Sequence, residues 1–204
     1  DVDGALETAS NRIKGRIAVG GQDHMYLEGH IALAIPGEDD DIIVHSSTQH
    51  PSEAQHMVAQ VLGVPSNAVV VNVRRMGGGF GGKTTIFMEP LSLALSKKAG
   101  GKPVKLVMSR SEVLRATGPT ASASMDVKIG MKKDGTITGA RAEFRMQGGA
   151  FPGSPVDMAL YCAFAPYKLK NVEHVGYDVL ANRPKCAAYR APGSPMGAFA
   201  VESL

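Results

Sequence analysis

The chain is predicted to fold as a mixture of helices and strands on two observations. Segments with apolar residues at the helical period are interspersed with alternating or β-branched runs, and the second half is rich in strands. Its 204 residues are 44% hydrophobic and 20% charged, which suits one large or two small globular units with a real core. Glycine (24) and proline (12) are frequent, but much of the glycine is gathered in one loop and asks for a local explanation.

Asp1 to Ala9 reads as the end of a helix leading through Gly15 into a strand, and Met25 to Ile35 alternates well enough for a second strand bounded by Pro36-Gly37. The acidic stretch Glu38 to Asp41 is expected as a surface hairpin, followed by a short apolar strand, Ile42 to Ser46. Pro51-Ser52-Glu53 opens a helix whose apolar positions Ala54, Met57, Val58, Val61 and Leu62 follow the helical period, and Gly63 ends it. Ala68 to Val73 is a β-branched run that fits a buried strand feeding the glycine loop Gly77 to Gly82, and a helix is expected from about Thr84 to Ala99.

Val104 to Met108 reads as a strand and Ser111 to Ala116 as a helical turn. Ser122 to Gly130 and Gly139 to Gln147 form a hairpin closed at Lys133-Asp134-Gly135, where Asp-Gly is a strong turn signal. Pro155 to Phe164 reads as a short helix, Val172 to Leu180 as a strand, and Ser194 onward as a helix still running at Leu204, so that the sequence looks cut off. A boundary near Gly100-Gly101 would divide a strand, glycine-loop and helix lobe (1–100) from a β-rich lobe (101–204) of the same domain.

Net charge is +3, with Lys and Arg scattered among acids, so no basic stripe points to nucleic acid; Arg74-Arg75 and Lys132-Lys133 read as solvated strand or turn ends. Cys162 and Cys186 are too few for a disulfide framework and lack CxxC partners, which favours a reducing compartment. The first residues have no basic start and apolar core of a secretory signal, and no apolar run approaches bilayer length. A cytoplasmic protein without a membrane partner is expected.

Met76-Gly77-Gly78-Gly79-Phe80-Gly81-Gly82-Lys83-Thr84 is the most informative segment. Its glycines free the backbone to take positive φ and let N–H groups approach a ligand, and a following helix N-terminus would favour an anionic group such as phosphate. Taken literally, Gly77 to Thr84 fits GxxxxGK[ST], the pattern of a P-loop nucleotide-binding protein, with Lys83 and Thr84 at the phosphate and magnesium positions. A nucleotide-hydrolysing P-loop also needs an apolar strand ending in Asp or Asp-Glu, whereas the candidate strands end at His45 and Ser109.

The same loop resembles the GGGFGGK signature of the molybdenum hydroxylases of the xanthine dehydrogenase/aldehyde oxidase family. Gly20-Gly21-Gln22-Asp23-His24-Met25-Tyr26-Leu27-Glu28 is similar to the family's GGQ-E-H-x-Y-L-E stretch, and Ser47-Thr48-Gln49 to its STQ. Leu62-Gly63-Val64-Pro65 matches its LGVP, and Ala188-Tyr189-Arg190-Ala191-Pro192-Gly193 its A-[FY]-R-x-x-G loop. These matches stand in family order across essentially the whole chain.

The resemblance implies an α+β molybdenum-cofactor-binding domain of the aldehyde oxidase/xanthine dehydrogenase type, with mixed sheets and packed helices. In such a domain Gly78, Gly79, Phe80, Gly81 and Gly82 lie against the molybdopterin, with Phe80 beside the metal centre. Gln22 hydrogen-bonds near a metal-bound oxygen, and Arg190 offers a planar fork of donors to a substrate or developing oxyanion. On residue chemistry alone Gln22 could equally face water, Phe80 plug the loop, and Arg190 pair with a carboxylate.

The resemblance further implies hydroxylation of an electron-poor carbon, with electrons leaving through iron–sulfur clusters and FAD on other domains or subunits, alongside the remaining molybdopterin-binding region. The metal would be held by the pterin dithiolene. His24, His30, His45, His50, His56 and His174 form no zinc-type pair, and no protein metal ligand is expected.

Purine-oxidising members carry Glu directly after GGGFGGK and Arg after the downstream T-G. Thr84 and, counted from Thr117-Gly118, Thr120 stand here, so with Pro192 they are expected to line a pocket for an aldehyde or aromatic heterocycle in preference to xanthine. The general base of the family, a Glu in a G-x-G-E segment, is not found before Leu204, and the 204 residues alone are expected to be inactive.

Overall fold

The computed structural model describes residues 1–39 and 41–204, so part of the expected acidic hairpin, Asp40, lies outside the described residues. In chain order the elements are α1 (Val2–Glu7), β1 (Asn11–Val19), β2 (Ile31–Pro36), β3 (Ile42–Ser46), α2 (Pro51–Leu62), β4 (Val69–Asn72) and α3 (Met88–Lys98). There follow β5 (Val104–Val107), α4 (Arg110–Ala116), β6 (Ala123–Met131), β7 (Ile137–Gly149), α5 (Val156–Ala163), β8 (Val172–Leu180) and α6 (Ser194–Glu202). The chain divides into two compact units: a continuous one, His24–Thr117, and a discontinuous one made of Asp1–Asp23 and Gly118–Leu204.

This division replaces the boundary expected near Gly100-Gly101. Those glycines, at φ 73° and 78°, make the tight connection from α3 into β5, and β5 pairs with β2 through Ile31 opposite Val107. Residues 101–117 therefore belong with the elements before them. The first strand goes the other way, β1 pairing with β6 from Asn11 opposite Met131 to Val19 opposite Ala123.

In the continuous unit the sheet order is β4-β3-β2-β5, with β3 and β4 parallel and the other pairs antiparallel. A parallel pair needs a crossover, and α2 supplies it. Pro51 sits in the first turn of α2, where its missing N–H costs nothing, and Gly63 closes the helix at φ 70°. Ala34, Val44, Val58, Ala59, Val69 and Leu93 form the core between sheet and helices, Ala34 and Val44 being buried by the alternation of β2 and β3.

Two elements start later than their local pattern predicts. The strand expected from Met25 begins at Ile31, because Met25 takes φ 50° and residues 24–30 form a loop. The helix expected from Thr84 begins at Met88, since Thr84 turns its hydroxyl and N–H back to the Gly81 carbonyl; Pro90 then falls in the first turn, where proline is tolerated.

The discontinuous unit has the order β1-β6-β7-β8, antiparallel except for β7 with β8, which α5 connects. The expected hairpin is closed by Gly135 at φ 86°, with Thr136 N–H donating to the Asp134 carboxylate at 3.0 Å. Met125, Val127, Phe144 and Met146 point from the sheet into a core shared with Ala159 of α5 and Ala200 of α6. The last helix, expected to run through Leu204, ends at Glu202. Among the described residues no helix is long and apolar enough to cross a membrane.

Candidate functional site

The glycine loop lies wholly in the continuous unit, and each of its glycines has a steric reason. Gly78 and Gly81 take φ 93° and 101°. A Cβ on Gly77 would come 2.5 Å from Glu28, one on Gly79 2.5 Å from Gln49 Oε1, and one on Gly82 2.8 Å from His24 and Tyr26. Phe80, at φ 53° and 48% exposed, is held in a left-handed conformation uncommon for a bulky residue and turns its ring outward.

The backbone donors of the loop fall into two sets. On the flanks, Gly77 N–H donates to Glu28 Oε2 at 2.9 Å, while Gly81 and Lys83 N–H both donate to Gln49 Oε1, at 2.9 and 3.2 Å. Gly82 N–H returns to Gly79 O, and Gln49 N–H and Thr48 Oγ1 both donate to Lys83 O. At the tip, the N–H groups of Gly78, Gly79 and Phe80 have no acceptor among the described residues.

Lys83 settles the P-loop alternative against itself. Its side chain is fully buried, its Nζ donates to Glu28 Oε2 at 2.8 Å, and it lies 5.0 Å from the centroid of the Tyr26 ring. An ammonium neutralised inside the protein is not offered to a phosphate. Thr84 spends its hydroxyl on Gly81 O, and the helix N-terminus that would complete an anion site begins only at Met88. Burial works to raise the Glu28 carboxyl, but hydrogen bonds from Lys83 and Gly77 N–H and the Lys83 charge outweigh it and leave the group below the ordinary carboxylate range.

Tyr26 is buried beneath this pair, hydrogen-bonded through its hydroxyl to His30 Nε2 at 2.9 Å, while Arg110 donates to the carbonyls of Tyr26 and Leu27. Glu28 and Gln49 stood in quoted motifs without a role. What sequence reasoning lacked was the contact that brings both onto residues 77–83, which no local spacing records.

Gln22, Thr120 and Arg190 come together in the discontinuous unit. They line a hollow of about 540 Å³ with Val19, Tyr189 and Phe199. Thr120 N–H donates to Gln22 O at 2.9 Å and Ala187 N–H to Pro119 O at 2.9 Å, which ties both sides of the hollow together. The Arg190 guanidinium is exposed and forms no salt bridge among the described residues, so the carboxylate-paired reading of it does not hold. Ala191 at φ 58° and Gly193 at φ 78° turn the chain back into α6. Pro192 is half-buried and does not line the hollow, and Phe80, Thr84 and the loop glycines belong to the other unit.

The family model for the molybdopterin cofactor-binding domain matches residues 1–204. Xanthine dehydrogenase of Calliphora vicina is 34% identical over 208 residues, which is 100% of this chain and 15% of that protein. Xanthine dehydrogenase/oxidase of Rattus norvegicus is 34% identical over 207 residues, 99% of this chain and 16% of that protein. The chain thus spans only 15 to 16% of the length of these relatives. Among solved structures, the aldehyde oxidoreductase from Desulfovibrio gigas matches 98% of this chain and 22% of its own at a TM-score of 0.87 and 29% identity. Quinoline 2-oxidoreductase from Pseudomonas putida 86 shares the fold at a TM-score of 0.92 and 24% identity, over 100% of this chain and 27% of its own. The chain belongs to the molybdopterin cofactor-binding domain family of the xanthine dehydrogenase and aldehyde oxidoreductase type.

Proposed function

We propose that the protein containing this chain is a molybdenum-dependent hydroxylase acting on an aldehyde or aromatic heterocycle, with these residues supplying part of the cofactor grip and part of the substrate pocket. The observation that carries this is the tip of the glycine loop. Gly78, Gly79 and Phe80 present consecutive backbone N–H groups with no acceptor among the described residues, on a segment whose flanking donors are already satisfied. Consecutive donors of this kind suit the polar edge and anionic tail of a pterin phosphate.

Molybdopterin, when bound, supplies the metal centre at which oxygen enters the substrate and electrons leave it. The chain's own residues position and exclude. Gly78 to Phe80 donate to the cofactor, with Gly81 and Gly82 shaping the loop, and the outward Phe80 ring covers a flat ligand. Gln22 offers an amide that can donate and accept, and Arg190 a guanidinium that forms no salt bridge among the described residues. Tyr189, Phe199 and Val19 give the hollow its apolar lining, next to Thr120. Iron–sulfur clusters and FAD would sit on other domains or subunits, and both cysteines are free, which suits the cytoplasm.

Thr84 and Thr120 carry no charge, so recognition of a purine through charge-assisted hydrogen bonds, worth about 1.5 to 3 kcal/mol each, is not available at these positions. The complete protein, purified intact, should contain molybdenum and releasable pterin, and should oxidise a neutral aldehyde or heterocycle with a higher kcat/KM than xanthine. Absence of pterin, or a preference for xanthine, sinks the corresponding half of the reading.

A further inference from the structure

We infer that Gln49 and Glu28 are positioning residues for the cofactor. They bind the flanking donors of the glycine loop and so leave the three tip donors as the ones a ligand can use. This rests on the cofactor reading above.

A loop with so many glycines has more conformational freedom to lose on ordering than any other composition. Left to itself it would sample many arrangements, and a ligand would have to select one. Here two side chains from outside the loop do the ordering. Gln49 Oε1 accepts from both Gly81 and Lys83, and the Gln49 backbone N–H donates to Lys83 O at 2.9 Å, so one residue grips the C-terminal flank with both its side chain and its main chain. Glu28 mirrors this at the other flank, its carboxylate accepting from Gly77 N–H and its own N–H donating to Gly77 O at 3.1 Å.

Lys83 joins the two flanks. Its amide is held by Gln49 and its ammonium by the same Glu28 oxygen that holds Gly77. Between these anchors Gly78, Gly79 and Phe80 are the amides without an acceptor among the described residues. The close approach of Gln49 Oε1 to the Gly79 Cα, which leaves no room for a Cβ, shows that the amide is packed onto the loop as well as bonded to it. Lys83 therefore acts as an internal tie, and the ligand's donors are selected by subtraction.

The test uses the complete protein in cofactor-loaded and cofactor-free forms. Gln49→Leu keeps the bulk and removes the acceptor, while Gln49→Glu keeps an acceptor oxygen. With two hydrogen bonds of ordinary strength lost, Gln49→Leu should speed amide exchange at Gly81 and Lys83 by about tenfold or more in the cofactor-free protein. Pterin content under limiting cofactor should fall by a similar factor, and Gln49→Glu should restore both.

Exchange at the core amides of Val58 and Leu93 should be unchanged, which separates loop release from general unfolding. Unaltered exchange at Gly81 and Lys83 in Gln49→Leu overturns the inference. So does faster exchange with undiminished pterin, and so does failure of Gln49→Glu to restore either measure. If the wild-type protein holds no pterin, the proposed function fails, and the exchange measurement still decides whether Gln49 holds the loop.

Discussion

A fully buried ammonium such as that of Lys83 is tolerable only while its partner is charged. Glu28, depressed below the ordinary carboxylate range by Lys83 and the Gly77 amide despite its burial, is that partner. A carboxyl lowered by folding contributes stability that is complete above its unfolded pKa of about 4.3 and is lost as pH falls through the lower folded value. Glu28→Gln should therefore cost about 1 to 3 kcal/mol at pH 7, since it leaves the ammonium without its counter-charge. The gap from wild type should narrow as pH falls below the ordinary carboxylate range and close only at a pH below the lowered folded value, where the wild-type carboxyl is itself neutral. Urea unfolding at the two pH values measures this, and a gap independent of pH would show that the charge of Glu28 is not what holds Lys83.

Among the elements, α2 and α4 have ends whose chemistry can be tested singly. Gly63 closes α2 at φ 70° with nothing within 4 Å of where a Cβ would be, so Gly63→Ala meets no clash and its cost is that of the left-handed backbone alone. About 1 kcal/mol is expected. Ser109 caps α4 through Glu112 N–H while the Glu112 carboxylate accepts from Ser109 N–H at 2.7 Å, a reciprocal box. Ser109→Ala should cost about 0.5 to 2 kcal/mol, and denaturant midpoints at unchanged slope would measure both. A null effect at Gly63 would mean that α2 does not depend on its left-handed cap.

These ends also show what was legible in the sequence. Pro51 to Gly63 could be read because proline, helical period and terminal glycine are local signals, and β3 and β4 because apolar and β-branched runs are. The starts of β2 and α3 could not, because Glu28, Gln49 and the glycine loop bind one another across the chain and that network, not local propensity, holds residues 24–30 and 81–86 out of regular structure. In the hollow, Gln22 and Arg190 were visible through their motifs. The lining by Phe199 of α6 was not, since it depends on where that helix packs.

At the scale of the whole chain, His24–Thr117 is inserted between two parts of another unit. Within that outer unit the chain leaves and re-enters at neighbouring points. The β1–β6 ladder runs to Val19 opposite Ala123, and beyond it Thr120 N–H donates to Gln22 O at 2.9 Å. Insertions are tolerated where chain ends lie close and each part carries its own core. Here the outer core is built on Met125, Phe144 and Met146 and the inner one on Val44, Val58 and Leu93.

Replacing residues 24–117 by a short Gly-Ser turn should therefore leave the outer unit folded, and residues 24–117 expressed alone should fold with the glycine loop intact. The tyrosines report on the two separately. The sequence has no Trp and five Tyr, of which Tyr26, 1% exposed, is the sole one in 24–117. A near-ultraviolet tyrosine signal from the excised unit that melts in a single transition, and is lost when Glu28→Gln and Gln49→Leu are combined, would show that the loop network is a property of this unit alone. Retention of secondary structure without that signal would mean instead that ordering of Tyr26 and the loop requires residues outside 24–117.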